Sequence, residues 1–498
     1  MRTVTHFIGG QAIPWSGART GDIFDPTIGR VQAQVDLGSA STVADAVANA
    51  RAAQPAWAAT NPQRRARVMF RFKALIEEHM DELAALLASE HGKVLSDARG
   101  DIQRGLDVVE FACGIPHLLK GDYTEGAGPG IDVYSMRQAL GVVAGITPFN
   151  FPAMIPLWML APAIACGNAF ILKPSERDPS VPVRLAELAL EAGLPAGILN
   201  VVHGDKIVVD AILDHPDVKA VSFVGSSDIA QYVYGRGAAV GKRMQCMGGA
   251  KNHGIVMPDA DIDQAVADIL GAAYGSAGER CMALPVVVPV GEKTAEVLRE
   301  KLVEEIAKLR VGVSNDSKAH YGPVVSEQHK ARIEGYIQMA VDEGAELVLD
   351  GRGLVLPGHE DGYFLAPTLL DHVRPDMRSY NEEIFGPVLQ ILRASTFEEA
   401  VRYPSEHQYG NGVAIFTRNG DFARRFASAV EVGMVGINVP IPVPVSYHSF
   451  GGWKRSGFGD LNQYGTDGIR FYTRVKTVTQ RWPGGGSVID QSFVIPTM

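Results

Sequence analysis

From Ala139 onward, short apolar segments alternate with helical patterns in a regular order. LGVVAGI precedes a helical segment, AFILK precedes VRLAELALEAG, NVVHG precedes IVVDAILDH, and AVSFVG precedes SSDIAQYVYG. Strand–helix alternation of this kind predicts a mostly parallel sheet with helices on both faces. Such a sheet binds ligands at the carboxyl ends of its strands, so the residues that follow each strand are the first candidates for a site.

A second alternating series begins near Gly254 and runs to about Gly436. With 498 residues the chain exceeds one ordinary core, so we interpret this series as a second α/β domain. The first series is preceded by a β-rich stretch (residues 5–36) and two helical patterns (residues 41–57 and 63–90). A Pro-rich segment, residues 436–447, is interpreted as a crossing between the domains.

Charge and cysteine usage exclude several classes of function. A formal net charge of −10 argues against nucleic-acid partners and against an anionic membrane surface. Anionic small molecules stay possible, because a local arginine pair can dominate a small pocket. Four cysteines are far apart and form no CxxC pair or His/Cys cluster, which argues against a disulfide framework and against a metal site. Because the N-terminus also lacks a signal-peptide pattern, we expect a cytoplasmic protein.

One uncharged segment, residues 151–172, is long enough to span a bilayer. Pro152, Pro156 and Pro162 interrupt it, and Gly167-Asn168 break it before AFILK. The segment therefore predicts a buried helix followed by a buried strand.

The stretch AYGSAGERCMAL (residues 273–284) places Cys281 beside Arg280. A thiolate attacks aldehyde carbons well, and a neighbouring cation or peptide dipole favours it by lowering the thiol pKa. Taken alone, the pattern fits a buried structural cysteine at least as well.

Two strand ends could hold a nucleotide, although the GxGxxG fingerprint is absent from the sequence. ILKPSER places Lys173 and Glu176 where an ammonium and a carboxylate could bind ribose hydroxyls. FVGSS places Gly225 and Ser226 at a predicted helix N-terminus, which attracts pyrophosphate. The alternative for each motif is a turn with a capping serine.

Five ordered motifs together resemble the signature set of the aldehyde dehydrogenase superfamily: TPFNFP (147–152), LKPSE (172–176), FVGS (223–226), GERC (278–281) and EEIFGPV (382–388). Within it, GITPFNFPAMIPLWM, AKNHGIVMPDADID, RCMAL and NVPIPVP resemble the coenzyme A-acylating branch, the methylmalonate-semialdehyde dehydrogenases. The resemblance implies an α/β fold with a Rossmann-type NAD-binding domain, an α/β catalytic domain and a β oligomerisation arm.

The resemblance also implies roles for individual residues. Cys281 would be the nucleophile, with the Asn150 amide and the Cys281 backbone N–H as oxyanion hole, and Arg104 and Arg280 would bind a substrate carboxylate. Lys173 and Glu176 match the adenosine-ribose contacts, and Glu383 matches the nicotinamide-ribose contact. The other expected cofactor neighbours are Thr147, Phe149, Arg177, Gly225, Ser226, Gly248 and Phe385.

Met247 departs from the pattern of hydrolytic members, which carry a water-activating glutamate before a GGK-type turn. Aligned on Gly249-Ala250-Lys251, Met247 takes that position, and methionine cannot accept a proton. A thiol needs less help than water to attack a thioester, so this change favours coenzyme A over water. It also predicts a pocket without a water-activating carboxylate.

The sequence therefore predicts NAD-dependent, coenzyme A-acylating oxidation and decarboxylation of methylmalonate or malonate semialdehyde, giving propionyl-CoA or acetyl-CoA, CO2 and NADH. One alternative is a hydrolytic NAD(P)-dependent enzyme acting on another small carboxylated aldehyde. Another is a structural or binding protein that retains the fold. Arg177 leaves tolerance of NADP open, and neither the pathway, the preferred enantiomer nor the coenzyme A site can be read from the residues.

By the same resemblance the NAD-binding domain comprises residues 1–125 and 145–250, and the catalytic domain residues 251–445. Residues 126–144 and 470–498 would form the oligomerisation arm of a homotetramer or homodimer. Residues 446–469 would return between the domains.

Overall fold

The computed structural model describes residues 1–482, so the last part of the predicted arm, residues 483–498, lies outside the described residues. The strands are β1 (Arg2–Val4), β2 (Phe7–Ile8), β3 (Gln11–Ala12), β4 (Thr20–Asp25), β5 (Arg30–Asp36), β6 (Tyr123–Gly128), β7 (Ile131–Ala139), β8 (Val142–Ile146), β9 (Ala169–Lys173), β10 (Leu199–Val201), β11 (Val218–Val224), β12 (Arg243–Met247), β13 (His253–Val256), β14 (Val286–Pro289), β15 (Glu346–Leu349), β16 (Thr368–Asp371), β17 (Val388–Ile391), β18 (Tyr409–Gly410), β19 (Gly412–Phe416), β20 (Met434–Ile437), β21 (Trp453–Lys454), β22 (Gly457–Phe458) and β23 (Thr473–Arg481).

The helices are α1 (Ala40–Ala59), α2 (Pro62–Glu78), α3 (Met80–His91), α4 (Leu95–Cys113), α5 (Ile115–Leu118), α6 (Met154–Ala165), α7 (Ser180–Glu191), α8 (Lys206–Asp214), α9 (Ser227–Ala239), α10 (Ile262–Tyr274), α11 (Glu292–Ile306), α12 (Glu327–Asp342), α13 (Arg378–Asn381), α14 (Phe397–Glu406), α15 (Gly420–Ala429) and α16 (Gly465–Tyr472).

Two large sheets carry the two predicted strand–helix series. The first has the order β22-β12-β11-β8-β9-β10-β2-β3, and β12, β11, β8, β9 and β10 run parallel. The second has the order β15-β16-β17-β14-β13-β19-β20, parallel except for the antiparallel edge strand β15. The predicted α/β architecture is confirmed, whereas the domain boundaries named above stay predictions.

The tail pairs with a long strand from the first half of the chain. β23 runs antiparallel to β7 from Thr473 opposite Ala139 to Arg481 opposite Ile131, and β6 completes a three-stranded sheet. β23 is mostly exposed along its length, as its alternating sequence predicts.

The helical pattern at residues 63–90 is not one helix but two, because His79 interrupts it. His79 has φ −96° and ψ 15°, and its Nδ1 lies 2.5 Å from Glu82 Oε2 in the first turn of α3. Glu82 is also close to Arg184 Nε, at 2.7 Å, so the break is fixed by contacts with α7.

The uncharged segment behaves as predicted. Every residue of α6 is buried, and so is every residue of the following strand β9. Within residues 1–482 the structure contains no helix long and apolar enough to cross a membrane.

Asn168 joins three parts of the fold at the point between α6 and β9. Its Oδ1 accepts hydrogen bonds from the backbone N–H groups of Leu140 (2.8 Å) and Gly141 (3.1 Å). Its Nδ2 donates to the carbonyls of Ala163 (2.9 Å) and Tyr472 (3.0 Å). The fully buried amide thus satisfies four backbone groups from three segments of the chain.

We predict that Asn168→Ala destabilises the protein by about 3 kcal/mol, because buried backbone groups lose their partners. The midpoint of thermal unfolding should fall by roughly 5 °C. Asn315→Ala, at an exposed asparagine, is the matched control and should leave the midpoint within about 1 °C. Equal midpoints for the two variants would contradict the proposed role.

Candidate functional site

The loop that carries Cys281 has an unusual backbone. It follows a short 3-10 turn (Gly275–Gly278) in which Ser276 and Ala277 have φ of 54° and 52°. Left-handed backbone at non-glycine residues costs on the order of 1–3 kcal/mol each and persists only where the surroundings impose it. A Cβ on Gly278 would lie 2.2 Å from the Gly386 carbonyl, so this loop packs directly on the EEIFGPV segment.

Two asparagines fix the backbone of Cys281. The Cys281 carbonyl accepts hydrogen bonds from Asn252 Nδ2 and from Asn411 Nδ2, both at 3.0 Å. Asn252 also donates to the Ala283 carbonyl at 2.7 Å. Sequence reasoning missed both asparagines, since an isolated asparagine carries no signal of a distant backbone partner.

The predicted oxyanion donor, Asn150, is held on both its side chain and its backbone. Its Nδ2 donates to the Glu279 carbonyl at 3.1 Å, which brings it to the nucleophile loop. Its carbonyl accepts from Lys93 Nζ at 2.5 Å, and Lys93 Nζ also lies 3.3 Å from Asp101 Oδ2. The side chains of Lys93 and Asp101 are fully buried. Sequence reasoning missed this ion pair as well.

The pKa of the Cys281 thiol is raised, whereas a neighbouring cation or peptide dipole that favours the thiolate would lower it. Burial, reinforced by the negative charge of Glu383, raises the pKa of the Cys281 thiol to about 11. The cation that opposes this rise is Lys93. The Arg280 guanidinium is held elsewhere: its Nη2 lies 2.6 Å from Asp97 Oδ1.

One cavity, of about 320 Å³, brings Cys281 together with both predicted carboxylate-binding arginines. Arg104 reaches it from α4, and one of its donors is used by the Pro444 carbonyl at 3.1 Å. We call it the substrate cavity. Its lining residues are Asp97, Gly100, Asp101, Arg104, Phe151, Met154, Trp158, Arg280, Cys281, Met282, Ile441 and Val443.

A second cavity, of about 240 Å³, also reaches Cys281, and we call it the cofactor cavity. Nine predicted site residues line it: Phe149, Asn150, Arg177, Gly225, Ser226, Gly248, Cys281, Glu383 and Phe385. It is completed by Pro148, Val224, Gly249, His329 and Arg332. Cys281 thus lies where the two cavities meet.

Three predicted cofactor contacts lie outside this lining but close to one another. Lys173 Nζ and Glu176 Oε2 are 3.2 Å apart after β9, and the Thr147 N–H donates to the Lys173 carbonyl at 3.1 Å. The Thr147 hydroxyl is buried and has no hydrogen-bond partner within residues 1–482. Ser226 is the N-cap residue just before α9, but its side chain makes no capping hydrogen bond. The alternative interpretation of Ser226 as a capping serine therefore fails.

Met247 ends β12 immediately before the two glycines of the cofactor cavity, and it is buried. The prediction of a pocket without a water-activating carboxylate stays a prediction. Within the described residues, the one carboxylate that lines the cofactor cavity is Glu383, which the resemblance implies as the nicotinamide-ribose contact.

Comparison with known proteins agrees with this geometry. The sequence profile of the aldehyde dehydrogenase family matches residues 15–478. Malonate-semialdehyde dehydrogenase of Pseudomonas aeruginosa is 54% identical over 498 residues, covering 100% of both chains. The acylating mitochondrial methylmalonate-semialdehyde dehydrogenase of Arabidopsis thaliana is 50% identical, over 96% of this chain and 79% of the relative.

Among solved structures, a Sinorhizobium meliloti chain crystallised in complex with NAD is 62% identical, with a TM-score of 0.97 over 98% of this chain and 99% of that one. The family profile, the two relatives and the solved structure all identify the same family. The chain belongs to the aldehyde dehydrogenase family.

Proposed function

We propose that the protein oxidises malonate semialdehyde or methylmalonate semialdehyde with NAD and transfers the acyl group to coenzyme A, with loss of CO2. The observation that carries the proposal is the position of Cys281 between two cavities, one with Arg104 and Arg280 and the other with the predicted dinucleotide contacts. The relatives named malonate-semialdehyde and acylating methylmalonate-semialdehyde dehydrogenase support the same substrate class.

The residues around the cofactor cavity fit NAD. The Thr147 hydroxyl lacks a partner within residues 1–482 and lies beside the ion pair of Lys173 and Glu176, as a ribose-binding edge requires. The uncapped N-terminus of α9 at Ser226 offers free N–H groups to a pyrophosphate. When bound, NAD supplies the hydride acceptor.

The nucleophile loop and Asn150 perform the first covalent step. Attack by the Cys281 sulfur on the aldehyde carbon forms a tetrahedral alkoxide, which the Asn150 amide and the Cys281 N–H stabilise. Donors fixed before reaction contribute about 3–4 kcal/mol each to the transition state. Loss of hydride then leaves a thioester on Cys281.

The two arginines select aldehydes that carry a carboxylate. Arg104 lines the substrate cavity and, within residues 1–482, makes one side-chain hydrogen bond, to the Pro444 carbonyl. Arg280 also lines the cavity and pairs with Asp97. A charge-assisted hydrogen bond contributes about 1.5–3 kcal/mol, so the pair disfavours neutral aldehydes strongly.

Decarboxylation follows from the electronics of the bound thioester. A carboxylate β to a thioester carbonyl leaves as CO2 and places two electrons in an enolate, which the oxyanion donors stabilise. Protonation gives the propionyl or acetyl thioester, and attack by the coenzyme A thiol releases Cys281.

Assembly and location complete the proposal. The exposed β6-β7-β23 sheet is the arm through which two or four copies associate, and the enzyme acts in the cytoplasm.

Without coenzyme A, we expect one equivalent of NADH per site and then a stall, because the acyl group stays on Cys281. With coenzyme A, NADH and acyl-CoA should form together over many turnovers. Stopped-flow absorbance and chromatography of the products measure both. Free acid formed at the same rate with and without coenzyme A would identify the hydrolytic alternative instead.

We predict that Arg104→Leu lowers kcat/KM for malonate semialdehyde about a hundredfold, the equivalent of two lost charge-assisted bonds. Propanal, which lacks a carboxylate, should be oxidised at nearly the wild-type rate. Arg99→Leu is the matched control, because Arg99 lies on the same helix and pairs with Asp81 at the surface. Equal losses on both aldehydes would mean that the substitution disrupts the helix rather than substrate recognition.

A further inference from the structure

Glu383 is the one carboxylate among the residues that line the cofactor cavity within the described part of the chain. Its Oε1 accepts a hydrogen bond from the Ala250 N–H at 2.8 Å. A Cβ built on Gly249 would lie only 2.6 Å from Oε2. The carboxylate therefore lies against the turn that follows β12, two residues from Met247.

Glu383 and Cys281 line the same cofactor cavity. After burial, the negative charge of Glu383 is the next contribution that raises the pKa of the Cys281 thiol. Burial also raises the pKa of Glu383 itself, against the opposing effects of the Ala250 N–H and the charges of Lys251 and Arg332. A carboxylate in this setting is a stronger base than one in water.

We infer that Glu383 is the general base that takes the proton from the coenzyme A thiol as its sulfur attacks the acyl group on Cys281. The inference rests on the proposed function and deepens it. The new bond joins the coenzyme A sulfur to the acyl carbon, and the bond that breaks joins the acyl carbon to Cys281 Sγ. The proton passes from the coenzyme A thiol to Glu383 and then to the departing Cys281 sulfur, so no oxidant or other reactant is needed.

A carboxylate base deprotonates a thiol more readily than it deprotonates water. An alkyl thiol has a pKa of about 8.5, whereas water has a pKa of about 15.7. Proton transfer to Glu383 is therefore far less uphill from coenzyme A than from water. A carboxylate in the cavity can therefore promote acyl transfer to coenzyme A without promoting hydrolysis.

Two neighbouring groups are weaker candidates for this base. His329 lines the cavity, but its Nε2 is engaged with the Phe385 carbonyl at 2.7 Å, and burial lowers its pKa to about 4. Glu279 precedes the nucleophile closely, but its carboxyl accepts the Val325 N–H at 3.1 Å and lines neither cavity.

The test isolates thiolysis from nucleotide binding. Cys281 is acylated with p-nitrophenyl propionate in the absence of nucleotide, coenzyme A is added, and propionyl-CoA is quantified by rapid quench between pH 6 and 10. The p-nitrophenol burst counts intact sites in each variant, which separates misfolding from loss of the base. Wild type is compared with Glu383→Gln, Glu383→Asp and the control Glu382→Gln, whose side chain contacts Tyr336 and Arg378 instead.

At pH 7 the rate constant for acyl transfer should fall about a hundredfold in Glu383→Gln, as expected for loss of a general base. Glu383→Asp should retain an intermediate rate, and Glu382→Gln should match wild type. The gap between wild type and Glu383→Gln should close as pH rises above the thiol pKa, because the thiolate needs no base. The other titratable groups close to Glu383 are Lys251, Arg332 and Tyr409, whose pKa is raised mainly by burial. None of them is substituted in this comparison, but Glu383→Gln removes a charge that raises the pKa of Lys251, which burial lowers to about 7.

Equal rates in wild type and Glu383→Gln at all pH values would overturn the inference and leave the proposed function intact. A deficit in Glu383→Gln that stayed constant across the pH range would also overturn it. Failure of the wild-type acyl-enzyme to form propionyl-CoA at all would refute the proposed function, and the inference with it.

Discussion

A buried ammonium group organises the reactive centre. Lys93 lies between α3 and α4, its Nζ sits 3.8 Å from the centre of the Phe151 ring, and it donates to the Asn150 carbonyl. Its partner Asp101 accepts the Met154 N–H at 2.7 Å, so the same ion pair fixes the start of α6. An isolated buried charge is costly unless it is paired and hydrogen-bonded, which makes this arrangement intolerant of change. Because the Lys93 ammonium is buried away from solvent, it keeps its hydrogen bond to the Asn150 carbonyl and so holds Asn150 in place.

Cys281 is held by residues beside two strands of the second large sheet. Asn252 precedes β13 and Asn411 precedes β19, and both donate to the Cys281 carbonyl. The left-handed Ser276 and Ala277 store strain that these contacts and the packing of Gly278 on Gly386 offset. Cys281 is therefore fixed by residues beside strands of the second sheet, and Asn150 by the buried ion pair of Lys93 and Asp101. The hydrogen bond from the Asn150 amide to the Glu279 carbonyl joins the two.

Local periodicity predicts the α/β architecture, and the resemblance carried by five motifs predicts nine of the fourteen residues that line the cofactor cavity. The sequence does not reveal the contacts that hold those residues. Lys93 lies 57 residues from Asn150, and Asn411 lies 130 residues from Cys281, distances that periodicity cannot relate. The direction of the thiol pKa was missed for the same reason. It depends on burial and on the charge of Glu383, both of which only the folded chain supplies.

The raised pKa of the Cys281 thiol protects the resting enzyme but hinders the release of Cys281 during acyl transfer. A protonated thiol at rest resists oxidation and unproductive alkylation, since the thiolate is the reactive form. A cysteine with a pKa of about 11 is, however, a reluctant leaving group when coenzyme A displaces it. A group that accepts the proton of the incoming thiol and returns it to the departing sulfur removes that difficulty without a second residue. Together with burial, the negative charge of Glu383 keeps the Cys281 thiol protonated at rest. The same carboxylate then assists the departure of the Cys281 sulfur during acyl transfer.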